Sequence, residues 1–193
     1  MKRGATKEEI IRITQTLIAR NGIRAVRVDE IAQRLGISKR TLYEMFADKN
    51  DLISACLDDL ARRQRQRIAA SRRRRSGNPL QRTLRLANDY IDSLYTVDHS
   101  FLADIRRKVL FAEQYDEHRE FWRKELSLNL EECRGGGLLL SEIDTAALAE
   151  QLMSTLFELR LNRTTREELY LLCRTILRGA ATQQGIDLID RKP

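Results

Sequence analysis

Val28-Asp29-Glu30-Ile31-Ala32-Gln33-Arg34-Leu35-Gly36-Ile37-Ser38-Lys39-Arg40-Thr41-Leu42-Tyr43-Glu44-Met45-Phe46 is the stretch that decides the fold. Ile31, Ala32 and Leu35 share one helical face, and Gly36 closes that helix because it tolerates the positive φ of a tight bend. Ser38 is a good N-cap for a second short helix, with Leu42, Met45 and Phe46 as its apolar side. Ala32 is small and lies one turn before Gly36, so two helices can approach closely there, with Ile37, Leu42 and Met45 filling the wedge. Two helices crossing steeply through a three- or four-residue turn form a helix-turn-helix. The second helix opens with Lys39 and Arg40, at the positive end of its own dipole, where cations are unfavourable. A sequence that breaks a local stability rule usually does so at a functional site. At the start of a recognition helix such side chains face the major groove, where Lys or Arg grips guanine O6 and N7. Thr41 is placed for a thymine methyl or a phosphate, and Tyr43 has the reach to donate to a phosphate. The plainer reading is a helical hairpin with a solvated basic end.

Working outward, nearly every segment carries helical periodicity. Ile10, Ile13 or Thr14, Leu17 and Ile18 share a face over residues 7–20, and Asn21-Gly22 supplies a stop. Asp48 is an N-cap for a fourth helix carrying Leu52, Ile53, Cys56, Leu57 and Leu60. That helix runs to Arg75, where Ser76-Gly77-Asn78-Pro79 breaks it, and the run Arg72–Arg75 reads as its solvated end. Further helices are predicted over 79–96, 100–113, 116–134, 144–162 and 165–182. Gly135-Gly136-Gly137 lacks a preceding strand and a following Lys-Ser/Thr, so it reads as a helix end rather than a phosphate loop. With two Pro and nine Gly, the turn residues that an all-β chain needs are missing. The fold class is all-α. The expected division is a helix-turn-helix domain over 1–50 and a helical regulatory and dimerisation domain over 51–193, linked by the fourth helix over 48–75.

Charge separates these parts. Residues 1–76 hold 19 Lys and Arg against 9 Asp and Glu, whereas residues 77–193 hold 16 against 19. A basic N-terminal part on a mildly acidic remainder points to a polyanion partner for the first alone. The apolar stretches are too short for a membrane span, and the N-terminus lacks the apolar core of a signal peptide. Cys56, Cys133 and Cys173 are odd in number and far apart, which argues against disulfides or a zinc ribbon and for a cytoplasmic chain with reduced thiols. His99 and His118 lack metal-ligand spacing, and no nucleophile or paired-carboxylate motif stands out. No enzyme, cofactor or metal is expected.

The helix-turn-helix resembles that of the TetR family of bacterial one-component regulators. The likeness rests on Asn21-Gly22, Val28-x-x-Ile31-Ala32, Gly36-Ile37-Ser38, Thr41-Leu42-Tyr43-x-x-Phe46 and Lys49-x-x-Leu52. It implies an all-helical homodimer with a three-helix DNA-binding head, mostly acting as a repressor released from a near-palindromic operator by a small ligand. Carried over by position, Ser38, Lys39, Arg40 and Thr41 would lie at bases or adjacent backbone, and Tyr43 and Lys49 would clamp phosphates. Arg27 stands where many members have a capping Thr. It would keep the phosphate contact, with the cap supplied from elsewhere, by Asp29 at a slightly later start. Without the resemblance, a helical protein-interaction scaffold with a basic surface fits the composition as well.

The last two helices carry apolar faces wider than the single stripe a surface helix needs. Leu152, Leu156 and Leu159 on one, with Leu169, Leu172 and Ile176 on the next, are the candidate dimer interface, as in a two-fold four-helix bundle. A monomer's buried core reads the same way. Aromatic residues gather in the middle of the chain, and Tyr90, Phe111, Tyr115 and Trp122 are the candidates for a pocket taking a small apolar or aromatic effector.

Overall fold

A computed structural model describes residues 5–73, 77–107 and 111–190, the side chains of residues 72 and 73 excepted. Among them lie α1 (Lys7–Ala25), α2 (Val28–Leu35), α3 (Lys39–Met45), α4 (Lys49–Arg73) and α5 (Pro79–Tyr95). These are followed by α6 (His99–Arg106), α7 (Ala112–Gly135), α8 (Thr145–Leu161), α9 (Arg166–Gly179) and α10 (Gln183–Asp190). No strand occurs among the described residues, and one isolated bridge joins Leu139 to Ala181. The chain is all-α. The Arg72–Arg75 run, expected as a solvated helix end, lies outside the described side chains.

Two compact units are formed, each discontinuous in sequence: Met1–Arg67 with Thr96–Tyr115, and Ile68–Tyr95 with Asp116–Pro193. This cuts across the expected division at residue 50. α6 belongs with the head because it packs on α1, and α4 and α7 each run from one unit into the other.

In the first unit, Gly22 interrupts α1 where the Asn21-Gly22 stop is expected, and one short turn follows it to Ala25. Gly22 has φ 77° and ψ 169°, a region essentially restricted to glycine. A Cβ at this position would stand 2.4 Å from Ser100 Oγ. The break thus admits the start of α6. There the Asp98 amide donates to the Ala19 carbonyl at 2.8 Å, and Arg24 pairs with Asp104 at 3.0 Å. Asp98 caps α6, its carboxylate accepting from the Ser100 amide and hydroxyl at 2.8 and 2.7 Å. Ile10, Leu17, Ile18, Ile31, Leu42, Phe46, Leu52 and Ile53 form the head core. Each such side chain contributes about 1.5–3 kcal/mol by leaving water. The helix expected over 100–113 is shorter: α6 ends at Arg106, and Phe111 takes φ 62°, which no α-helix contains. Phe111 instead opens α7, its carbonyl accepting from the Tyr115 amide at 3.1 Å.

In the second unit α5 packs on α8, α9 and α10. Leu80, Thr83, Ala87, Ile91 and Leu94 recur every three or four residues, so one stripe of α5 is buried. Trp122, Leu126, Leu130 and Cys133 form the corresponding stripe of α7. The glycine triplet is the end of α7, where the Leu138 amide donates to the Cys133 carbonyl at 2.9 Å. The helix expected over 165–182 is shorter, and a further helix, α10, follows beyond it. α9 stops at Gly179, and the chain pairs with the segment after α7 before α10 begins. The Leu140 amide donates to the Ala180 carbonyl there, and the Thr182 amide to the Leu138 carbonyl, both at 3.0 Å.

Candidate nucleic-acid interface

All seven residues expected at DNA lie in the first unit. Their positions follow from how α2, α3 and α4 begin. α2 starts at Val28 with Arg27 as an extended N-cap residue (φ −115°, ψ 131°) whose side chain makes no capping bond. The expected later start with Asp29 as the cap is not found. Asp29 lies inside the first turn, and its carboxylate reaches across the turn to Lys39, with Nζ and Oδ1 2.5 Å apart. Gly36 ends α2 in the left-handed region at φ 62°, ψ 32°, as the bend requires.

Ser38 then caps α3. Its Oγ accepts from the Thr41 amide at 3.0 Å, and the two hydroxyls lie 2.9 Å apart. Both residues therefore first fix the start of α3. Lys39, Arg40, Tyr43 and Glu44 are exposed on its outward side, while Leu42 is fully buried and Met45 half-buried. The Arg40 side chain, 89% exposed, donates from Nε to Glu44 Oε1 at 3.1 Å. Behind α3, the Lys7 ammonium sits 4.8 Å over the Phe46 ring, a cation–π contact that joins α1 to the end of α3.

Lys49 opens α4 beside Asp48, whose carboxylate accepts from the Asp51 amide at 2.8 Å as the expected N-cap. The Lys49 ammonium donates to the Arg24 carbonyl at 3.4 Å, and partial burial pushes its pKa down. It ties the last turn of α1 to α4, and an ammonium with three donors retains capacity for a phosphate. Such a surface can present guanidinium, ammonium and phenol donors to a groove from a short helix sealed on its inner side. Sequence reasoning weighed Asp29 only as a helix cap and passed over Glu44. The i, i+4 spacing of Arg40 and Glu44 is a signal that could have found the second, whereas Lys39–Asp29 requires the folded turn.

The candidate pocket residues divide between the units. Tyr90 and Trp122 pack edge to face in the second unit, with ring centroids 5.4 Å apart, and Phe121 meets Trp122 at 6.2 Å. The Trp122 indole donates to His118 Nε2 at 3.1 Å, and Trp122 is fully buried. Phe111 and Tyr115 lie in the first unit. Of the candidate interface residues, Leu152, Leu156 and Leu169 belong to the core of the second unit itself and have no surface left for a partner. Leu159, Leu172 and Ile176 are half-buried. Leu171, which sequence reasoning did not single out, is 67% exposed, about 200° around α9 from Leu169. The three cysteines are free and buried, and burial pushes Cys56 and Cys173 up to about 12. Among the described residues no group of His, Cys, Asp or Glu could hold a metal, and no helix is long and apolar enough to cross a membrane.

Residues 10–56 match the family described as bacterial regulatory proteins, tetR family. No curated protein sequence matches the chain. Among solved structures, a transcriptional regulator from Saccharomonospora viridis in complex with choline is 18% identical over 91% of this chain and 96% of its own, with a TM-score of 0.79. A TetR transcription regulator from Haloarcula marismortui is 18% identical over 91% of this chain and 98% of its own, at TM-score 0.77. One from Agrobacterium tumefaciens is 19% identical over 91% and 97%, at TM-score 0.75. At these identities the likeness is one of fold, and it extends over nearly the whole of both chains.

Proposed function

We propose, on the premise that residues 10–56 carry the tetR-family DNA-binding head, that this chain is a transcriptional regulator acting as a homodimer on a near-palindromic operator. It represses, and a small apolar or aromatic effector releases it. The observation that carries this reading is the outward side of α3, where Lys39, Arg40 and Tyr43 are exposed over a sealed inner side. Arg40 and Lys39 meet base edges, Thr41 a thymine methyl or phosphate, and Arg27, Ser38, Tyr43 and Lys49 the phosphates. A two-fold dimer places its two recognition helices on half-sites about one DNA turn apart or a multiple of it.

Dimerisation is assigned to the outward sides of α8 and α9. Leu159, Leu171, Leu172 and Ile176 meet the partner there, with Leu152, Leu156 and Leu169 supporting them from beneath. The effector site is assigned to the second unit, beside the edge-to-face pair Tyr90 and Trp122. The choline held by the Saccharomonospora viridis regulator makes a quaternary ammonium a rational first probe, because aromatic faces attract cations. A cytoplasmic location is assigned with this reading, supported by three cysteines that form no disulfide pair.

Selection of bound sequences from a random DNA pool tests the reading. A regulator enriches an inverted repeat, whereas a scaffold with a basic surface enriches nothing. Trp122, the single tryptophan, reports effector binding by its fluorescence during titration with aromatic metabolites and choline.

A further inference from the structure

We infer that Glu44 and Asp29 set the selectivity of the head: Glu44 orients the Arg40 guanidinium toward one base pair, and Asp29 holds Lys39 back from sequence-blind phosphate binding. The inference rests on the DNA-binding reading above.

Helix stability does not explain the charge pattern of α3. Arg40 stands in its first turn and Glu44 in its last, each at the end where the dipole disfavours it. Their order is the weaker one for an i, i+4 pair, with the cation N-terminal to the anion. The first turn of α3 contains no acid. α2 does the opposite throughout. Asp29 and Glu30 occupy its first turn and Arg34 its last, and Glu30 pairs with Arg34 at 2.8 Å in the favourable order. Two adjacent helices of one head therefore follow opposite rules, although both have an exposed side.

The geometry gives the charge pattern of α3 a purpose. Glu44 accepts from Arg40 Nε, so the edge of the guanidinium carrying the two terminal amino groups faces away from it. That edge matches guanine O6 and N7. Glu44 thus acts as a positioning residue for a donor that would otherwise sample many rotamers on a largely exposed side chain. A carboxylate so close to the groove is also repelled by every phosphate, which weakens binding to all sequences alike. Asp29 acts on Lys39 in a related way. The carboxylate 2.5 Å from Nζ offsets part of that cation's attraction for a phosphate and occupies one of its three donors. Both acids lower the sequence-blind background against which an operator is recognised.

The test compares the full chain with Glu44→Ala, Glu44→Gln, Asp29→Asn and, as a charge control, Glu30→Gln. Each is passed through the random-pool selection and then titrated across salt on the selected operator and on a random-sequence duplex. Glu44→Ala should lose about five-fold or more of the preference at a single base pair. It should also bind random duplex about 2- to 5-fold more tightly. Glu44→Gln keeps an acceptor for Nε, so it should tighten random-duplex binding yet retain the base preference. Asp29→Asn should tighten random-duplex binding and steepen the salt slope by about one, with the selected sequence unchanged. Glu30→Gln should select the wild-type sequence. An unchanged base preference in Glu44→Ala, weaker random-duplex binding in Asp29→Asn, or the same change of preference in Glu30→Gln would overturn the inference and leave the DNA-binding reading standing. A wild-type chain that enriches no sequence would overturn both.

Discussion

Alanine at position 22 should loosen the DNA-binding head without touching any proposed DNA contact. Two costs add. A residue with a side chain at φ 77°, ψ 169° carries about 1–3 kcal/mol of backbone strain. The added methyl would also stand 2.4 Å from Ser100 Oγ and 3.2 Å from Ser100 Cβ, so Ser100 must turn away. Its hydroxyl then leaves Asp98, where it donates at 2.7 Å, at a cost of about 1 kcal/mol. The sum is about 2–4 kcal/mol, and each 1.4 kcal/mol corresponds to a tenfold change in an opening equilibrium. Hydrogen exchange followed by mass spectrometry reads this element by element. Amides of α1 and α6 should exchange faster by about 30-fold or more, while those of α9, in the other unit, remain at wild-type rates. Ser100→Ala alone removes the hydroxyl and its bond to Asp98, so Gly22→Ala/Ser100→Ala should exchange faster than Ser100→Ala by the backbone share. Wild-type rates in Gly22→Ala would refute the reasoning, because the break would then not depend on glycine. Equal rates in Ser100→Ala and in the double variant would remove the backbone strain from the account.

On selected operator DNA, Arg40→Ala should lose about 1–3 kcal/mol and relax preference at one base pair. Lys49→Ala should weaken all sequences about equally and reduce the salt slope by roughly 0.9, both read from binding isotherms across salt. Leu171→Glu should give a folded monomer in sedimentation, since the side chain is exposed within its own chain. By contrast, Leu156→Glu buries a charge in the core of the second unit and should unfold it, as circular dichroism would record. None of the three thiols should react with a disulfide reagent at pH 8 in the native protein, and all three should react in denaturant, because burial raises the thiol pKa and blocks access. The Ser100 hydroxyl and amide hold the Asp98 carboxyl below the usual range. Its contribution to α6 is therefore fully present above the unfolded value of about 3.9 and is lost as pH falls through the lower folded value. Asp98→Asn should abolish that part of the acid loosening of α6, measured by amide exchange.

Signals that act within a turn or two were legible from the residues alone. Gly36 works through its own φ, and Ser38 and Asp48 through amides three residues on, so α2, α3 and the start of α4 lie where the sequence places them. The all-α class and the outward basic start of α3 are local properties of the same kind. Tertiary structure decided whatever depends on distant partners. Asn21-Gly22 announces the break, but not that α6, nearly eighty residues later, packs against it. The gap between α9 and α10 arises because Ala181 pairs with Leu139, a segment whose approach no window of sequence contains. Asp29 meets Lys39 only once the turn between them is formed. The leucines of α8 and α9 show the limit most clearly. Periodicity says that Leu152, Leu156 and Leu169 must leave water. The hydrophobic effect has no direction, so it cannot say whether the chain's own helices or a second copy will cover them. Packing within the unit covers these three and leaves Leu171 outside.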